Sequence, residues 1–165
     1  MKQRSYALSI VATLLAVLVG STPVTAGEAV PFKARSGGIT TDLGFDPVRM
    51  VVHVRQTGKG QATHLGNVNV IGNFEVDVIT NILSGTEVMT AANGDVLLIR
   101  IENGHATTGP TAAEATGRII GGTGRFQGAT GLLKITVNFA VAPPSPDPIP
   151  YTDALEGAIS FNPQP

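Results

Sequence analysis

Beyond residue 26 the hydrophobic and polar positions alternate in short runs with a period of two, and no segment carries the apolar stripe of an amphipathic helix. Met50, Val52 and Val54 alternate against Arg49, His53 and Arg55, and Phe74, Val76 and Val78 against Glu75 and Asp77. Leu133, Ile135, Val137, Phe139 and Val141 do the same against Lys134, Thr136 and Asn138. The pattern predicts strands over residues 32–35 with 39–41, 49–56, 61–70, 74–79, 87–91, 95–102, 112–120, 133–141 and 152–161. Asn93-Gly94 marks a hairpin turn, and Ile71-Gly72-Asn73 predicts a second turn or a bulge. The proline-dense run 143–150 cannot sit in a ladder and reads as a stiff surface connector.

About eight strands with hairpin turns and no crossover helix predict an all-β, closed antiparallel barrel or a sandwich. Closure is favoured because the apolar runs 97–101 and 133–141 would be aggregation-prone as free edges. A lipocalin, the calycin-like alternative, is disfavoured because the chain has no tryptophan for the Gly-x-Trp signature.

The densest glycine run is Gly121-Gly122-Thr123-Gly124-Arg125-Phe126-Gln127-Gly128-Ala129-Thr130-Gly131. As a phosphate cradle it fails: the spacing from Gly124 to Gly128 is one residue too long for the dinucleotide fingerprint, and no Gly-Lys-Ser/Thr follows. Both motifs also need a helix after the glycines, and here a strand pattern follows. The run reads instead as a structural corner. It resembles the corner of allene oxide cyclases and, more loosely, that of plant dirigent proteins. That resemblance implies an eight-stranded barrel and a homo-oligomer, trimer or dimer. Residues 57–66, with Thr63-His64-Leu65-Gly66, and residues 154–159, with Leu155-Glu156-Gly157, are similar to segments of small exported bacterial proteins of unknown function. That likeness implies the same barrel and no particular activity.

Residues 1–26 have the form of a secretory signal: Lys2 and Arg4 at the head, an apolar stretch over 7–19, and Val24-Thr25-Ala26 before a cut at Gly27. The expectation is one β-barrel domain, 27–165, secreted or periplasmic after cleavage and with no stable membrane insertion. There is no cysteine, so the core alone must hold the fold. The formal net charge of -1 gives no electrostatic case for nucleic acid or an anionic membrane. Two tyrosines and six phenylalanines also offer few stacking platforms for single strands.

Candidate chemistry is sparse. His53, His64 and His105 have no ligand spacing, so neither a metal site nor a cofactor is expected, and no nucleophile elbow is present. Parity along the strands places Arg100 and Glu102 opposite Leu97, Ile99 and Ile101, and Glu156 opposite Leu155 and Ile159. With the bulky faces inward these charges are solvated. With the other face inward, Arg100, Glu102, Glu156 and His64 would line the barrel as weak catalytic candidates, each acid needing a cationic partner. Arg125 reads as a surface residue. The expected function is non-catalytic binding of a small apolar ligand, or an assembly role. The alternative is an allene oxide cyclase-like isomerase or cyclase acting on a hydrophobic substrate in the lumen.

Overall fold

The computed structural model describes residues 27–107, 111–143, 145 and 147–162. The predicted leader at 1–26 and part of the proline-rich connector lie outside them. Eight strands run up and down: β1 (Ala29–Asp46), β2 (Val51–Ala62), β3 (Gly66–Asp77), β4 (Ile82–Ala91), β5 (Val96–Ala106), β6 (Ala112–Gly122), β7 (Thr130–Phe139) and β8 (Ile149–Ser160). Each pairs antiparallel with the next, and β8 pairs with β1 over twelve residues, so the sheet closes and leaves no free edge. Alternation decides which way each residue faces. On β3, Val68, Val70, Gly72 and Phe74 are buried in the lumen, while Asn67, Asn69, Ile71 and Asn73 lie outside.

Two sequence expectations are corrected. The predicted turn at Ile71-Gly72-Asn73 lies in the middle of β3, and the chain reverses at residues 63–65 instead, splitting the predicted strand 61–70. Gly72 is there for space rather than for a turn: the Phe74 ring lies across it, where a Cβ would collide. Residues 36–38 likewise interrupt nothing, because Gly38 sits inside a continuous β1 against the Thr57 carbonyl of β2.

The strands define two unlike ends. The loops 63–65, 92–95 and 123–129 gather at one end with the start of β1 and the finish of β8. Here the glycine corner folds inward as a stopper. A single 3-10 turn, Gly124–Phe126, aims Phe126 into the barrel with no exposed surface, and Leu65 and Ala129 are buried beside it. Phe161 packs on Phe126 with ring centroids 5.9 Å apart. Backbone bonds pin the corner: Thr123 N–H donates to Val96 O at 2.9 Å, and the Thr123 hydroxyl accepts from Val96 N–H at 3.0 Å. Gly124 takes a left-handed φ of 56°, and a side chain there would run into the Asp95 carboxylate. No helix leaves the corner; β7 follows directly.

At the other end, loops β1–β2 and β3–β4 are built alike. The Asp46 carboxylate accepts from the Val48 and Arg49 N–H groups at 2.9 and 3.1 Å, and Asp77 accepts from Ile79 and Thr80 at 2.9 and 2.8 Å. Those bonds hold both carboxyls below their usual range. Each loop closes on a left-handed residue, Met50 at φ 56° and Asn81 at φ 55°. The loops thus present Val48 and Ile79 to solvent, 90% and 72% exposed, as apolar side chains at this end.

Candidate functional site

The outer faces carry the charges that alternation singled out. Arg100 and Glu102 point out from β5 and Glu156 from β8, where Lys33 lies 3.9 Å from Glu156 with both side chains largely exposed. His64 sits in the turn at the stoppered end, with φ 67°. Its Nε2 is 3.2 Å from the Pro31 carbonyl, and its ring meets Phe161 edge-on. Among the described residues none of these four is ion-paired or hydrogen-bonded to another of them. Arg125 lies outside over the Phe126 ring and 3.5 Å from Asp95. No group of three or more His, Asp or Glu among the described residues is arranged to hold a metal ion.

The lumen instead holds a polar belt on inward-facing positions of four strands: Ser36 and Thr40 of β1, Gln56 of β2, Glu87 of β4, and Tyr151 and Asp153 of β8. Register explains the grouping. Ser36 lies directly opposite Asp153, and Thr40, Gln56, Gly72 and Glu87 follow one another across the ladders of β1 to β4. Asp153 Oδ1 accepts from the Ser36 backbone N–H at 2.9 Å and from the Ser36 hydroxyl at 2.7 Å. Gln56 Nε2 donates to Thr40 Oγ1 at 3.2 Å. The Ser36 hydroxyl is also near enough to Tyr151 to favour its ionised form, but among the described residues Tyr151 Oη makes no hydrogen bond of good geometry. Glu87 Oε1 is also buried and unpartnered.

These surroundings decide the protonation states. Burial, and then the charge of Asp153, push the Glu87 carboxyl up to about 8, so at neutral pH it is a neutral acid. Burial also raises Asp153, outweighing the two hydrogen bonds from Ser36 that oppose it. Tyr151 is pushed up to about 12, chiefly by burial, and remains a phenol. The belt therefore combines a carboxylic acid and a phenol, each with a polar atom unmet, beside an oriented carboxyl. Such a set can grip an oxygen of a guest or exchange a proton with it.

Apolar walls surround the belt. Phe32, Val70, Met89, Leu97, Ile99, Ile119, Leu155 and Ile159 are fully buried and fill the stoppered half. Toward the end opposite the stopper, a groove of about 520 Å³ is lined by Leu43, His53, Val54, Asn73, Phe74, Glu75 and Gly85. Arg49 grips Glu75 there through two bonds of 2.8 and 2.6 Å, which lower the Glu75 carboxyl. Space for the Tyr151 phenol comes from Gly58, whose added Cβ would stand 2.6 Å from Gly37 O and 2.7 Å from Tyr151 Oη. Gly58→Ala is expected to cost about 1–3 kcal/mol in urea unfolding, as overpacking against backbone does. An unchanged midpoint would mean that the phenol is not held there.

No protein-family model matches the sequence, and no curated protein matches it. Among solved structures the chain is similar to that of a pterocarpan synthase dirigent protein, with a TM-score of 0.55 and 14% identity over 96% of this chain and 99% of that one. At that identity the likeness is one of architecture. The chain is an all-β closed barrel of eight antiparallel strands with a dirigent-like fold.

Proposed function

We propose that the barrel takes up a small, largely apolar molecule through the end opposite the stopper and holds it at the polar belt by an oxygen atom. The observation that carries this reading is the pair of buried polar atoms, Glu87 Oε1 and Tyr151 Oη, that have no well-formed hydrogen bond among the described residues. Buried polar groups are nearly always satisfied, and leaving one unmet costs about 1–3 kcal/mol. A protonated acid and a phenol are both donors, so the complementary guest carries an acceptor such as a carbonyl, ether or phenolate oxygen on an apolar frame. With the predicted leader cleaved on export, this binding would take place outside the cytoplasm. No cofactor is invoked.

Native mass spectrometry of the protein purified from its own host tests the reading. The expected spectrum shows a retained small molecule, lost or weakened roughly tenfold when Tyr151→Phe removes one donor. A wild-type chain that never carries a guest, and binds no apolar carbonyl compound in solution, would refute it. The same spectrum counts subunits, and so tests the expectation of a dimer or trimer.

A second reading, isomerase or cyclase, is favoured by one specific feature: burial and the charge of Asp153 keep the proton on Glu87, which sets a proton donor near a carboxyl acceptor. Glu87→Gln separates the two readings. It keeps binding in both, and in the second it removes turnover by at least about a hundredfold.

A further inference from the structure

We infer that the outer face of β1 and β2 is a docking groove for an acidic polysaccharide. Net charge conceals how the cations are distributed. Beyond the predicted leader the chain has nine lysines and arginines, and four of them, Lys33, Arg35, Arg55 and Lys59, point outward from these two neighbouring strands. Elsewhere three of the five remaining cations are answered by acids, Arg49 by Glu75 at 2.6 Å, Arg125 by Asp95 at 3.5 Å and Lys134 by Glu114 at 2.9 Å, whereas Arg100 and Arg118 face each other across β5 and β6 as a single pair rather than a row. Among the described residues Arg35, Arg55 and Lys59 have no ion-pair partner, and Lys33 has only its long, solvated contact with Glu156.

The register makes these cations a row. Arg35 lies opposite Gln61, and Lys59 lies one outward position along β2 from Gln61, opposite Gly37. Successive outward side chains on a strand stand roughly 7 Å apart, so Lys33, Arg35 and Lys59 form a ladder of like charges that continues along β2 to Arg55. No Asp or Glu occupies the outward positions from Lys33 to Thr41 on β1, from Arg55 to Gln61 on β2 or from Asn67 to Asn73 on β3. The face is hollowed at its stoppered end. A groove of about 600 Å³ is lined by Lys33, Arg35, Gln61, Thr63 and Asn67. Unanswered like charges held side by side are unfavourable unless an anion joins them.

The neutral residues choose the kind of anion. Gln61 and Asn67, hydrogen-bonded to each other at 3.3 Å, and Asn69 beside them offer amide donors and acceptors suited to hydroxyl groups. The groove lining contains no aromatic ring on which a nucleobase could stack and no large apolar side chain to enter a lipid layer. A chain of sugars bearing carboxylates matches cations interleaved with amides.

The test uses the full mature chain and polygalacturonate, with polyglutamate, neutral dextran, duplex DNA and phosphatidylglycerol vesicles as comparators. Polygalacturonate is expected to bind in a salt-sensitive way and more tightly than the others. Arg35→Gln with Lys59→Gln is expected to weaken it roughly thirtyfold, whereas Arg118→Gln with Lys134→Gln, the same charge loss on β6 and β7, changes it less than about twofold. Asn67→Ala with Asn69→Ala is expected to weaken polygalacturonate several-fold and leave polyglutamate unchanged. Unchanged thermal melts establish that the surface variants are folded. Absence of binding, equal losses from the two charge variants, polyglutamate binding as tightly as polygalacturonate, or preference for DNA or vesicles would each overturn the inference.

Discussion

Raising the pH from about 5 to about 8 lowers the stability of this protein, and Glu87→Gln removes most of that dependence. In the unfolded chain Glu87 ionises near its ordinary 4.5, while in the barrel it holds its proton up to about 8. Between those values the folded state binds more protons than the unfolded one. The stability is therefore fully present below the ordinary value and is lost as pH rises through the folded one. The slope is about 1.4 kcal/mol per pH unit, and the whole window amounts to something on the order of 4 kcal/mol. Asp153, also raised by burial, loses stability in the same direction. The surface carboxyls Asp46, Glu75 and Asp77 are held low by their bonds, so their contribution is lost only as pH falls below the ordinary carboxylate range. Stability is accordingly greatest in mildly acidic solution. Denaturant unfolding across the range measures this, and a flat profile between about pH 5 and about 8 would show that Glu87 is already ionised.

Phe126→Ala is expected to cost about 3–5 kcal/mol and to lower the melting temperature by roughly 10–20 °C. The ring is wholly buried at the stoppered end and touches Phe161, and the pinned corner around it cannot collapse into the cavity left behind. Arg125→Ala, one residue away, removes an exposed cation over the same ring and is expected to cost about 1 kcal/mol or less. Similar effects from the two substitutions would mean that the corner merely covers the barrel without sealing it.

How much of this was legible in the residues differs between fold and site. The barrel was readable because period-two runs and the absence of any helical stripe leave few architectures, and because strands as apolar as 97–101 must be paired. The strand breaks expected at 36–38 and 71–73 do not exist because a glycine that clears space for Phe74 or for β2 looks, in sequence, like a glycine that turns the chain. The role of the corner was only half visible. Its glycines announced a bend, but Phe126 as a stopper depends on where a closed sheet leaves a hole.

The site was less legible. Strand parity draws attention to Arg100, Glu102 and Glu156, which lie opposite the bulky residues and, with those packed inward, face solvent. The same rule, read the other way, marks the belt: Glu87 shares its parity with Met89, and Asp153 and Tyr151 share theirs with Leu155. An acid on the bulky side of a strand is the local signal of a buried carboxyl. What no local signal contains is that Asp153 faces Ser36 from more than a hundred residues away, since that pairing exists only once β8 closes on β1. The cationic row on β1 and β2 was hidden for a similar reason: a balanced total says nothing about which strands become neighbours.

The most direct measurement is the carboxyl carbon resonance of Glu87 in the isotope-labelled mature chain, followed by NMR through a pH titration. A lumen that keeps a neutral acid ready for a guest gives a midpoint near 8. A midpoint near the ordinary 4.5 would mean that water or a cation reaches the side chain, and the belt could not be the donor site described.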